Sequence, residues 1–199
     1  MTAHELWYLR NKTEVKRLSG KDDKMKKYLV VVDMQKDFVD GALGTDEAVA
    51  IVPNVVEKIN TFDGDIFVTY DTHFENYMDT AEGKKLPVPH CIKGTSGWQL
   101  NDDVQAALAK KKYTAVEKLT FGSVALPELI GKATEGEAFS VELIGLCTDI
   151  CVVSNALLLK ANFPESAIKV DAACCAGVTP ATHNAALETM KMCQIDVEG

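Results

Sequence analysis

Histidine is scarce in this chain, four residues among 199, and none of its cysteines has the CxxC spacing of a thiolate zinc module or a dithiol oxidoreductase. No apolar run approaches the roughly 18 residues that a membrane span needs. Positive charge is outnumbered, with Lys+Arg 21 against Asp+Glu 29 and a net charge of -8, so the average surface repels nucleic acid and anionic membranes alike. The basic clusters are short, and the strongest, Lys110 to Lys112, ends an expected helix, where cations complement the dipole. There is no internal repeat and no low-complexity tract. The first 27 residues carry no apolar segment of the secretory kind, and the six cysteines form no evident disulfide framework, so the expectation is free thiols in a reducing cytoplasm.

What is present is the material of one globular domain, 47% hydrophobic and long enough to bury a sizeable core. Residues 1–24 are charged and lack core periodicity; they read as an extension, a mobile or helical arm, ahead of a domain spanning 25–199 that runs from Met25 straight into a first strand. Apolar runs suited to buried parallel strands occur at Tyr28 to Val32, Asp65 to Tyr70, Thr114 to Glu117, Ala138 to Gly145 and Ala167 to Val170. Helical stretches lie between them at Asp46 to Asn60, Asn101 to Lys110, Leu126 to Gly131, Asp149 to Ala161 and Thr179 to Cys193. This alternation predicts a three-layer α/β/α fold with a doubly wound, mainly parallel sheet of Rossmann-like type, which binds ligands beyond the carboxyl ends of its strands.

Two of the four histidines sit with two carboxylates. Asp71 and His73, two apart at a strand end, project from the same face and can grip one ion, and Glu82 and His90 follow. The mixed O/N set suits Zn, Mn, Fe or Ni; read without function, the segment is a surface turn. Other strand ends carry Asp33 and Lys118, and Cys151 is expected in the first turn of a helix, where free N–H groups favour thiolate. Each has a plain reading: a helix cap or turn residue for Asp33, a solvated strand end for Lys118, a buried structural thiol for Cys151. Taken together, they form a base, a charge-holding lysine and a nucleophile along one rim.

The segments V-V-D-M-Q-K-D-F-V-D-G-A-L, D-T-H, P-H-C-I-K-G-T-S-G-W, V-E-K-L-T-F-G-S and G-L-C-T-D-I-C-V resemble, in order, the isochorismatase-like cysteine hydrolases, and among them the nicotinamidases, from about Tyr28 onward. The resemblance implies an amidohydrolase with a catalytic triad of Asp33, Lys118 and Cys151. It implies one divalent metal, Zn ahead of Mn or Fe, on Asp71, His73 and His90. Glu82 falls where some members supply a further ligand and others use Ser or His. It also implies a cis peptide joining Leu146 to Cys147 and an oxyanion hole from the backbone N–H groups of Cys147 and Cys151; a small residue is commoner at position 147. The implied reaction is hydrolysis of nicotinamide to nicotinate and ammonia through a thioester, serving NAD salvage, in a cytoplasmic protein that forms homo-oligomers.

Phe38, Leu43 and Phe121 are candidates for an apolar wall around a flat ring, or for plain core, the favoured role for Leu43. Trp98 is expected to anchor the loop after His90, His183 to face solvent or a subunit neighbour, and His4 lies in the extension. Two other readings stand beside this one: a related amidohydrolase acting on a carbamoyl or ureido compound, and a non-enzymatic metal- or redox-sensing thiol protein. The isochorismatase reaction itself has no need of the Cys151 thiol.

Overall fold

The computed structural model describes residues 25–199, so the expected arm over 1–24 and His4 fall outside the described residues. Six strands form one sheet: β1 (Lys26–Val32), β2 (Asp65–Asp71), β3 (Tyr113–Lys118), β4 (Phe139–Leu146), β5 (Ala167–Ala176) and β6 (Asp196–Glu198). Their spatial order is β3-β2-β1-β4-β5-β6, and every neighbouring pair is parallel. The helices are α1 (Lys36–Val39), α2 (Asp46–Thr61), α3 (Asp102–Leu108), α4 (Ala125–Thr134), α5 (Val153–Asn162) and α6 (Pro180–Met192). The α/β class and the doubly wound sheet are as the sequence pattern predicts. No helix among the described residues is long and apolar enough to cross a membrane.

β1 shows why the sheet is covered on both faces. Successive side chains alternate sides: Leu29 and Val31 pack with Ile51, Val55 and Ile59 of α2 and Val104 and Leu108 of α3, while Val30 and Val32 pack with Ile130 of α4, Leu159 of α5 and Met190 of α6. An unbroken apolar run is therefore what this central strand requires. α2 starts where Thr45 caps the amide of Ala48 at 3.0 Å, with Asp46 and Glu47 in the first turn opposite the helix dipole.

Several boundaries differ from expectation for identifiable reasons. β5 extends beyond Val170 to Ala176 because a bulge interrupts its pairing: β4 advances from Leu143 to Gly145 while β5 advances from Val170 to Cys175. Gly145 has φ +114, and a Cβ there would stand 2.1 Å from the Val32 carbonyl oxygen, so only glycine permits β4 to lie this close to β1. The three-residue edge strand β6 and the one-turn helix α1 have too few residues to show a period. The segment read as the start of α5 is instead a π-helical turn, Thr148–Val152, in which the amides of Ile150 and Val152 both donate to the Cys147 carbonyl. All six cysteines are free thiols.

Strand order reverses between β1 and β4, and at such a switch point the two connections leave toward opposite faces and open a crevice above the strand ends. Asp33 follows β1, and the Leu146–Cys147 peptide, which is cis, closes β4. Asp71 and Lys118 end β2 and β3 as partners in sheet register.

Candidate active site and metal centre

Above this crevice the residues from separate strand ends converge. Asp33, at 0% exposure, has φ 47, a left-handed conformation that aspartate tolerates better than most side chains. Its Oδ1 accepts from the Thr69 hydroxyl at 2.6 Å, and its Oδ2 lies 2.7 Å from Lys118 Nζ. That second oxygen forms the ion pair without receiving an aligned hydrogen bond among the described residues, which leaves it able to take a proton. Lys118, 3% exposed, also donates to Asp71 Oδ1 at 2.9 Å and lies 3.4 Å from Cys151 Sγ. Asp33, Lys118 and Cys151 thus meet in one buried contact network, although Cys151 occupies the π-helical turn rather than the first turn of an α-helix.

Burial raises the Asp33 pKa above the usual carboxylate value, with the Lys118 charge opposing it. Burial also pushes the Cys151 thiol well above its ordinary range; the nearby Asp33 charge adds to this and Lys118 only partly offsets it. Lys118 loses ground to burial but is held charged by Asp33, Cys151 and Asp71, with a net upward shift. The network therefore holds a protonated thiol and a fixed cation beside a carboxyl whose proton affinity is raised. Replacing Lys118 by alanine would leave two buried carboxylates facing each other, and is expected to cost about 3–5 kcal/mol of stability, measured as the displacement of the urea unfolding midpoint.

Asp71 joins this network to a second cluster through its other oxygen. Oδ2 lies 3.0 Å from His73 Nε2 and 3.7 Å from His90 Nε2, and Glu82 Oε1 lies 3.6 and 3.7 Å from the same two nitrogens. Asp71, His73 and His90 are all buried and their ligand atoms fall within 4.8 Å of one another. His90 reaches the cluster because residues 91–93 pair beside His73: the His73 amide donates to the Cys91 carbonyl at 3.0 Å and the Lys93 amide to the His73 carbonyl at 2.9 Å. His90 Nδ1 is held by the Val88 carbonyl at 2.8 Å, which turns Nε2 toward the cluster. His73 Nε2 is buried and, although Asp71 Oδ2 stands 3.0 Å away, makes no aligned hydrogen bond among the described residues, a costly arrangement for a protein atom unless something else binds it. Two imidazoles and two carboxylates around that nitrogen fit a first-row divalent cation.

Some supporting residues carry no signal in the sequence. Gln35 accepts from the Asp71 amide at 2.7 Å and donates to the Asp71 carbonyl at 2.8 Å, fixing the backbone of that residue. The Tyr77 ring packs edge-on against both imidazoles, at 4.8 Å from His73 and 5.1 Å from His90, while its hydroxyl donates to the Leu86 carbonyl. Asp37 accepts from the Cys91 amide at 2.7 Å, and it fills the space a Cβ at Gly97 would need, 2.1 Å from its carboxylate. Trp98, by contrast, is legible in the sequence and anchors the loop after His90 as expected, donating to the Thr72 hydroxyl at 3.0 Å while its carbonyl receives Gln35.

A cavity of about 580 Å³ opens over both clusters. Phe38, Leu43 and Phe121 all line it together with Asp71, His90 and Cys151. Phe38 is buried with its ring 5.4 Å from His90, Leu43 also packs on the core, and Phe121 stands at the mouth at 46% exposure. His183 departs from expectation. It is half-buried and lies with Nδ1 2.8 Å from the Thr148 hydroxyl, so neither solvent nor a neighbouring subunit is needed to account for it.

Comparison with known proteins agrees with this geometry. The family model described as the isochorismatase domain matches residues 27–198. A Bacillus subtilis protein described as the uncharacterized isochorismatase family protein PncA is 30% identical over 143 residues, covering 67% of this chain and 78% of that protein. The crystal structure of the nicotinamidase/pyrazinamidase PncA from Bacillus subtilis superposes with a TM-score of 0.75 at 26% identity, covering 88% of this chain and 100% of that one. The pyrazinamidase of Pyrococcus horikoshii in complex with zinc gives a TM-score of 0.69 at 26% identity, over 86% of this chain and 98% of its own.

Proposed function

The chain belongs to the isochorismatase family of hydrolases, and on that premise we propose that it is a nicotinamidase, hydrolysing nicotinamide to nicotinate and ammonia through a thioester on Cys151. The observation that carries this reading is the junction at Asp71, one oxygen on Lys118 beside the thiol and the other among the histidines. Such a junction couples a metal-binding cluster to the nucleophile, and His90 and Cys151 line the same cavity, which suits an amide carried on a heteroaromatic ring.

The chain's own groups do the following. The ring lies between Phe38, Leu43 and Phe121, with its carboxamide toward Cys151. Asp33 Oδ2 takes the thiol proton, and Lys118 stabilises the thiolate 3.4 Å away. Sulfur attacks the carbonyl carbon, and the amides of Cys147 and Cys151 hold the oxygen as it gains charge. Asp33 returns the proton to nitrogen, the C–N bond breaks and ammonia leaves. Water, deprotonated by Asp33, then attacks the thioester carbonyl, and the C–S bond breaks to release nicotinate while the proton returns to sulfur. Asp71, His73, His90 and Glu82 would hold a divalent ion, zinc first, which supplies a Lewis-acid anchor for the pyridine nitrogen. The product nicotinate suits a role in NAD salvage.

Chelation of the purified protein is expected to remove most ammonia release from nicotinamide, and zinc to restore it, with manganese and iron as comparisons. Full turnover in metal-free protein would remove the metal from the account. No turnover with metal bound would shift the substrate to a carbamoyl or ureido compound.

A further inference from the structure

On that reading, the turn Cys147–Cys151 must keep two backbone amides fixed while charge develops on the substrate oxygen. Asp33 and Lys118 act on the Cys151 thiol and do not brace the outer side of this turn. The brace comes from α6 and the residues just before it. Thr148 is fully buried and its Oγ1 lies 2.8 Å from His183 Nδ1. The next residue, Asp149, accepts the Val178 amide on its two carboxylate oxygens, at 3.2 and 3.1 Å. Gly177 lies so close to His183 that a Cβ would stand 2.9 Å from the histidine's Cα and backbone nitrogen, and both Gly177 and Val178 line the catalytic cavity.

His183 is itself held rigidly. Its amide donates to the Thr179 carbonyl at 2.9 Å, and the first turn of α6 is fixed by Pro180 and a reciprocal capping pair between Thr179 and Thr182. Burial holds its pKa below the usual value, with Asp149 opposing, so the ring is neutral and keeps one nitrogen as an acceptor.

We propose that His183 is a positioning residue for the hydrolysis: its Nδ1 fixes the Thr148 hydroxyl and so aims the backbone amides of Cys147 and Cys151 at the substrate carbonyl. The inference rests on the Cys151 thioester reading. A brace on the oxyanion turn acts on the transition state more than on the bound substrate, so its loss lowers kcat and leaves KM nearly unchanged.

The test compares metal-replete wild-type protein with His183→Ala, His183→Asn and Thr148→Val, measuring nicotinamide turnover and the rate of Cys151 alkylation by iodoacetamide. His183→Ala is expected to lower kcat about 10- to 100-fold with KM and the alkylation rate close to wild type, because the thiol, its base and its lysine are untouched. Asparagine places an amide near the Nδ1 position and is expected to recover most of the loss. Thr148→Val should lose as much as His183→Ala, and the double variant no more, since the two residues act through one bond. Wild-type kcat in His183→Ala overturns the proposal. So does a parallel fall of alkylation and turnover, which would mark a general loss of site structure, and so does failure of asparagine to restore kcat. A wild-type protein inactive on nicotinamide would overturn the functional reading together with this inference, whereas each of the other results strikes the inference alone.

Discussion

Cys151→Ala is expected to reduce ammonia release from nicotinamide by at least about 10⁴-fold. The size follows from what remains once sulfur is gone. Asp33 could still deprotonate water, and the backbone amides of Cys147 and Cys151 remain, but no atom stands at the position of Cys151 Sγ, 3.4 Å from Lys118 Nζ. The effect is on chemistry, so metal content should stay at the wild-type level: Asp71, His73, Glu82 and His90 do not depend on the thiol for their placement. Stopped-time ammonia assays and metal analysis on the same preparation check both halves. A variant that retains a tenth or more of wild-type turnover would exclude covalent catalysis at this position.

Asp33→Asn is expected to lower kcat about 10²- to 10⁴-fold, the range for removing a general base, while holding or raising thermal stability. Burial is the main cause of the raised Asp33 pKa, with Lys118 pulling the other way. A carboxyl whose folded pKa exceeds its unfolded value contributes its stability below the unfolded pKa and loses it as pH rises through the folded one. Above its raised folded pKa the ionised Asp33 is therefore a burden on the fold. Asparagine removes it, and Lys118 keeps a partner in Asp71 at 2.9 Å. The same shift sets the acid side of the rate profile: turnover falls as pH drops through the raised Asp33 pKa, because a protonated Asp33 cannot accept the thiol proton. The Cys151 thiol lies well above its usual range, so ionisation without the base cannot substitute. Calorimetric melting and a pH–rate profile measure the two effects, and a destabilised Asp33→Asn protein would contradict the assigned sign.

Asp33, Asp71 and Lys118 are legible in the sequence because each ends or follows a strand-like run whose direction is readable, and a parallel sheet places such ends on one edge. His90 is legible by its rarity and nearness to His73. What holds these groups is harder to read. Thr69 acts on Asp33 from 36 positions away, and Gln35 acts on the Asp71 backbone across the same separation; neither leaves a periodic trace, since the contact exists only after β1 and β2 pair. From the sequence His183 reads as facing solvent or a subunit neighbour, because its partner, Thr148, lies 35 positions earlier in a turn of its own. The turn itself misleads: T-D-I-C-V-V reads as the start of a helix, and the sequence carries no mark of the wider spacing that brings the amides of Ile150 and Val152 to one carbonyl. β6, three residues long at the sheet edge, has no period to detect.

The most direct test of the central claim is turnover of nicotinamide in rising concentrations of hydroxylamine, with ammonia, nicotinate and nicotinohydroxamate measured together. A thioester on Cys151 predicts that nicotinate and the hydroxamate share a common precursor, their sum matching the ammonia released and the hydroxamate share rising with hydroxylamine. Ammonia and nicotinate formed in equal amounts with no hydroxamate at any concentration would contradict the covalent route, and no ammonia at all would contradict the substrate.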